Sequence, residues 1–188
     1  MPARHAFALL NRLFPAEEAH AHCDIPCGIY DPHLAQIGAL TCIRMNQLIE
    51  ALEPPAMEKA ARDAYMHKLA RYTATKEHHA ELVKHEVRII RGDFFKPDNS
   101  PDGLGELVDG IMKTASAVRQ NIDAAAADKL LGLVNDFAEA FWAAKGVATK
   151  RQPSNQAAGG EYVVPAGTGI DTAVPADVDG PLLSTATV

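Results

Sequence analysis

Between Asp31 and Gly146 apolar side chains recur every three or four residues in one segment after another, and proline or glycine punctuates the series. Such spacing puts apolar residues on one stripe of an α-helix, whereas on a strand it scatters them over both faces. The chain is therefore committed to amphipathic helices that must bury their stripes against each other. Leu34, Ile37, Leu40, Met45, Leu48, Ile49 and Leu52 form the first stripe. Asp31 is its expected N-cap with Pro32 in the first turn, and Pro54-Pro55 ends it. A weaker stripe of Met57, Ala60, Ala64 and Leu69 predicts a helix over about 56–72; residues 73–75 either break it or carry it on. Leu82, Val83, Val87, Ile90 and Phe94 predict a helix over about 76–95, followed by a turn at 96–101. Leu104, Leu107, Val108, Ile111, Met112, Ala115 and Val118 give the cleanest period of all. Asp123 caps a last helix through Lys145, and Gly146 stops it. Antiparallel amphipathic helices joined by short turns make an all-α, antiparallel four-helix bundle the expected fold.

The two ends differ from this middle. From about residue 148 Gly, Pro, Ala, Thr and Val dominate without a period, which predicts a disordered tail over 148–188. Within it Tyr162-Val163-Val164 is a candidate short strand or docking segment. Residues 1–21 read as a leader: an apolar patch, Ala6 to Leu10, follows Arg4, and Ala19-His20-Ala21 has the form of a cleavage site. Asn11 and Arg12 interrupt the patch short of the roughly 7–15 apolar residues a secretory core needs, so export is not favoured. No apolar run reaches the roughly eighteen residues that span a bilayer. A net charge of −6 argues against a nucleic-acid partner.

Three cysteines do not make the framework of a disulfide-stapled domain. Cys42 sits in the first helical stripe and reads as a buried thiol acting as a small hydrophobe. Cys23 and Cys27 are different. They lie in His22-Cys23-Asp24-Ile25-Pro26-Cys27-Gly28-Ile29-Tyr30-Asp31-Pro32, where two thiols and an imidazole are close enough to share one metal ion. Thiolates select late transition metals over magnesium or calcium. Taken without its flanks the C-x₃-C pair is ambiguous. It could hold zinc, with His78, His79 and His85, on one predicted helix with Glu81, completing the site, form a disulfide, or have no role.

The whole run resembles the start of the mature nickel-containing superoxide dismutases, HCD-x-PCG-x-YDP. A second run, Ala80-Glu81-Leu82-Val83-Lys84-His85 followed by Asp93-Phe94-Phe95-Lys96-Pro97, is similar to the family's AEL-x-KH…D-[YF]-F-K-P, and Phe141-Trp142 resembles its C-terminal aromatic pair. The resemblance spans roughly residues 22–146. It implies a superoxide dismutase that turns two superoxide anions and two protons into dioxygen and hydrogen peroxide by Ni(II)/Ni(III) cycling, with one nickel per subunit. It also implies the ligands: the α-amine and imidazole of His22, the backbone nitrogen of Cys23, and the thiolates of Cys23 and Cys27. Asp24 and Tyr30 become the candidate catalytic residues, with Tyr30 ordering water or the incoming anion. The amine exists only after a maturation protease cuts before His22. The resemblance further implies a cytoplasmic homohexamer, no nucleic-acid or membrane partner, and a domain over 22–147 with its hook at 22–32. Two positions depart from the family pattern. A Glu of the first helix and an Arg of the central helix, which support the axial His in other members, align with Gly38 and His79, and the stretch between Pro54 and His79 is longer. Two rival readings are a non-catalytic nickel- or copper-binding protein and a structural helix bundle.

Overall fold

The computed structural model describes residues 29–167. The chain divides into two units, Met1–Tyr30 and Asp31–Val188, and the architecture below belongs to the second. It comprises α1 (His33–Glu50), α2 (Lys59–Ile89), α3 (Leu104–Gln120), α4 (Ala124–Ala144), β1 (Thr149–Pro153) and β2 (Glu161–Pro165). Helices α1 and α3 each pack against both α2 and α4, which closes a four-helix ring. Successive helices run antiparallel. Gly38 lies against Val83 while Cys42, one turn on, reaches the Lys76 carbonyl one to two turns back. Ile43, Val83, Val87, Ile90, Leu104, Ile111, Val118, Leu130, Val134, Phe137 and Phe141 fill the centre. The expected bundle is thus the one observed, with most of the predicted stripes facing inward; the weak stripe of Met57, Ala60 and Ala64 is the exception and lies exposed, as does Leu34.

Several boundaries have local causes. Pro32, rather than Asp31, occupies the cap position of α1; Asp31 Oδ1 instead accepts the His33 backbone N–H at 2.8 Å, an Asx turn just outside the helix. Asp123 does cap α4, accepting the Ala126 N–H at 3.0 Å. Gly146, with φ +71°, ends it. Residues 73–75 continue the helix, so the second and third predicted helices are one element of 31 residues. Two threonines cost an α-helix only about 1 kcal/mol together, too little to force a break where the backbone can stay hydrogen-bonded. Beyond Ile89 the helix widens into a π-helical turn, Ile90–Phe94, closed by the Phe95 N–H on the Ile90 carbonyl at 3.3 Å.

The expectation of a disordered tail from 148 is wrong for its first part. Residues 149–165 form an antiparallel hairpin, with Arg151 opposite Val163. The candidate strand Tyr162-Val163-Val164 is its second arm. Composition misleads here because the hairpin is held by the helices rather than by itself. The buried Gln36 side chain accepts the Val163 N–H at 2.6 Å and donates to the Val163 carbonyl at 3.1 Å, as a neighbouring strand would. Asn135 Nδ2 donates to the Glu161 carbonyl and Gln47 Nε2 to the Ala158 carbonyl, each at 3.0 Å. Gly160 (φ +71°) presses so close that a Cβ there would lie 2.9 Å from Leu131. Arg151 completes the attachment through Asp136 at 2.6 Å and Glu139 at 2.7 Å. The later part of the predicted tail, 168–188, lies outside the described residues, as does the leader.

Candidate metal centre

Of the five predicted site residues, His22, Cys23, Asp24 and Cys27 lie outside the described residues, and Tyr30 is half-buried. What the structure settles is which other side chains are available. Among the described residues no three His, Cys, Asp or Glu side chains come together as a metal site. His78 and His85 are exposed. His79 is half-buried; its Nδ1 lies 2.9 Å from the Thr75 carbonyl, so Nδ1 carries the proton and donates. Glu81, on the same helix, is engaged by Arg88 at 3.0 Å and Arg119 at 2.8 Å. The Arg88 hydrogen bond holds its carboxyl below the usual range. Among the described residues, the histidines that were candidates to complete a zinc site do not come together as one by themselves.

Cys42 is fully buried, as its place in the stripe predicts. Its Sγ lies 3.6 Å from the Lys76 carbonyl, and burial pushes the thiol up from 9.0 to about 12, against the attraction of the Lys76 ammonium. Lys76, itself buried, donates through Nζ to the Asn121 carbonyl at 2.6 Å, which places its charge at the C-terminal end of α3. A thiol this reluctant to ionise is neither a ligand nor a nucleophile. Of three cysteines, the two left for metal chemistry are Cys23 and Cys27. The consequence for stability has a definite sign. Below pH 9.0 both states keep the Cys42 proton; between 9.0 and about 12 only the unfolded chain loses it, so folding stability falls as pH rises. Lys76 works the other way, because burial lowers its ammonium pKa. In urea melts at rising alkaline pH, the native chain is expected to lose stability relative to Cys42→Ala by up to about 1.4 kcal/mol per pH unit. Parallel curves would refute the buried-thiol assignment.

The second motif run lies at one end of the bundle. Phe94 packs on Phe141 at 4.5 Å between centroids and Phe95 on Phe137 at 5.9 Å. Lys145 caps the Phe141-Trp142 pair, about equally far from both rings (5.2 and 5.3 Å). The π-helical turn is what lets Phe94 and Phe95 both turn toward α4. Gly38 sits at a close approach of α1 and α2: a Cβ there would be 2.8 Å from Val83 Cγ2 and 3.1 Å from the His79 carbonyl. Sequence reasoning missed Gln36, Tyr162 and Lys76. Gln36 and Lys76 had a legible signal, being polar residues on otherwise buried helix faces.

Four antiparallel helices preceded by a thiol-rich, imidazole-bearing segment define a small helical metalloprotein. The family described as nickel-containing superoxide dismutase matches residues 17–145. The chain belongs to this family. It is 36% identical over 140 residues to "Superoxide dismutase [Ni]" of Streptomyces seoulensis, covering 73% of this chain and 98% of that one. The same identity holds over 141 residues for the protein of that name from Streptomyces coelicolor. A crystal structure of Ni-containing superoxide dismutase in its oxidised ligation state superposes with a TM-score of 0.57 at 32% identity, covering 66% of this chain and 99% of that chain. The family match stops at 145, before the hairpin.

Proposed function

We propose that the chain is a superoxide dismutase that holds one nickel ion in residues 22–27 once the Ala21–His22 bond is cut. One observation carries the reading: membership of the family, by a match that runs through the hook and the whole bundle. The donor set fits the metal. Two thiolates, an amine and a deprotonated backbone nitrogen are strong donors of the type that would suit a late transition metal, and the third thiol of the chain is buried. Bound there, nickel supplies a one-electron couple that both oxidises and reduces superoxide.

The protein's part is to bind, orient and shield. The α-amine and imidazole of His22, the backbone nitrogen of Cys23 and the thiolates of Cys23 and Cys27 are the ligands. Tyr30 orders water or the approaching anion through its hydroxyl, and Asp24 belongs to the same run. Two protons are needed for each peroxide released; Tyr30, water and the thiols are the candidate donors. Leu34, Met57, Met66 and Ile122 are exposed apolar residues available for subunit contacts, and a homohexamer is the expected assembly. No helix among the described residues is long and apolar enough to cross a membrane, and a cytoplasmic location goes with the reading. The test is to prepare the chain from His22, load it with nickel, and measure metal content and superoxide consumption together. One nickel per chain with rapid consumption supports the reading. Stoichiometric nickel without turnover would make the protein a metal carrier, and no stoichiometric metal would leave a structural bundle.

A further inference from the structure

The hairpin is an addition to the part of the chain that the family match covers, yet it is built into the bundle with some precision. It reaches two helices, its second strand touching both. On one side Asn135 holds the Glu161 carbonyl and Arg151 spans Asp136 and Glu139, all on the middle of α4. On the other side the contacts fall on the first turns of α1. The Tyr162 ring meets His33 edge-on, 5.6 Å between centroids at 71°. Gln36, one turn further, is hydrogen-bonded through both ends of its amide to Val163, which is itself buried. His33 is the first residue of α1, and only Asp31 and Pro32 separate it from Tyr30, the last residue of the other unit.

We propose that the hairpin is a brace: through Tyr162 on His33 and Val163 on Gln36 it ties the start of α1 to α4 and so fixes the base on which the metal-binding segment is carried. Gln36 and Tyr162 are then positioning residues for the nickel ligands, and the inference rests on the functional reading above. The physical need is plain. The first turn of a helix lacks part of its internal hydrogen bonding and opens at little cost. A metal held by a short chain segment is only as well ordered as the residues that anchor that segment. Groups beyond the ligands that hold ligand geometry characteristically change metal affinity when removed. The brace is specific in its chemistry: a glutamine supplies both a donor and an acceptor to one strand residue, which neither glutamate nor leucine does.

The experiment compares the nickel-loaded chain from His22 with Gln36→Ala, Tyr162→Ala and Tyr162→Phe. Three properties are read: the rate at which nickel passes to a chelator, the absorption bands of the thiolate-bound metal, and thermal melting. Gln36→Ala and Tyr162→Ala are expected to release nickel about tenfold faster, the lower end of what such outer groups contribute, and to shift the bands. Tyr162→Phe keeps the ring that His33 meets and is expected to match the parent. Variants that merely melt lower, with parental release rate and unshifted bands, would show the hairpin to be structural only and overturn the proposal. If Gln36→Ala fails to fold, the Tyr162 pair carries the same comparison, because that contact lies at the surface. A parent chain that takes up no nickel sinks the functional reading and the brace with it. A parent that binds nickel beside variants that match it sinks the brace alone.

Discussion

The nickel-loaded chain from His22 carrying Cys27→Ser is expected to consume superoxide no faster than the metal-free protein. Serine has nearly the size of cysteine, so packing is not at issue. What changes is the donor. A thiolate is soft and anionic at neutral pH; a serine hydroxyl remains protonated and hard, and it gives little electron density to a late transition metal. The higher oxidation state then loses the stabilisation it needs, and the couple moves out of the range in which one superoxide is oxidised and the next reduced. Cys23→Ser should act alike. An independent arm leaves every side chain intact: one extra residue before His22 turns the amine proposed as a ligand into an amide. That chain should keep both thiols and still be inactive. In all three the helical melt should match the parent, because among the described residues the core is built by α1 to α4 themselves. Superoxide consumption is the readout, with nickel stoichiometry beside it. Activity within a few-fold of the parent in the Cys27→Ser chain would falsify the ligand assignment.

The bundle was legible because its stripes are long. Seven apolar positions from Leu104 to Val118, or the run Leu130, Val134, Phe137 and Phe141, leave one face to bury and one way to bury it. Asp123 and Gly146 marked the ends of α4 for equally local reasons. Less legible was whatever depends on a distant partner. Tyr162-Val163-Val164 announces no more than a candidate strand, since what holds Val163 is a glutamine side chain 127 residues earlier. The merging of two predicted helices into α2 follows from the small cost of two threonines in a backbone that stays hydrogen-bonded. The hook was legible as chemistry, because two thiols and a histidine within six residues have few common explanations. His79 shows the limit of reading support for that hook from alignment: its Nδ1 proton is committed to its own helix at Thr75.

Gly38→Glu, which inserts the residue the family pattern would place there, is expected to be the most damaging single change in the bundle. Position 38 is buried where α1 and α2 approach closely, and a Cβ added there would sit 2.8 Å from Val83 Cγ2 and 3.1 Å from the His79 carbonyl. Val83 is itself fully buried and branched at Cβ, so it cannot swing aside, and the carbonyl belongs to the α2 backbone. Overpacking of this kind costs about 1–3 kcal/mol. Gly38→Ala recovers about 1 kcal/mol of that through better helix propensity, so it should be mildly destabilising. Glutamate gains nearly the same relief but brings a longer side chain and a charge. Its carboxylate enters an apolar seam where the one nearby histidine has already given its Nδ1 proton to Thr75, and an unpaired buried charge adds about 3–5 kcal/mol. Together these approach the roughly 5–15 kcal/mol that holds a domain of this size together. At about 2–4 °C per kcal/mol, the melting temperature should fall by some 10–30 °C, or the chain should fail to fold. Circular dichroism melts of the parent, Gly38→Ala and Gly38→Glu decide it. A Gly38→Glu chain as stable as the parent would mean that α1 and α2 can separate at no cost, and that glycine at 38 is not there to let them meet.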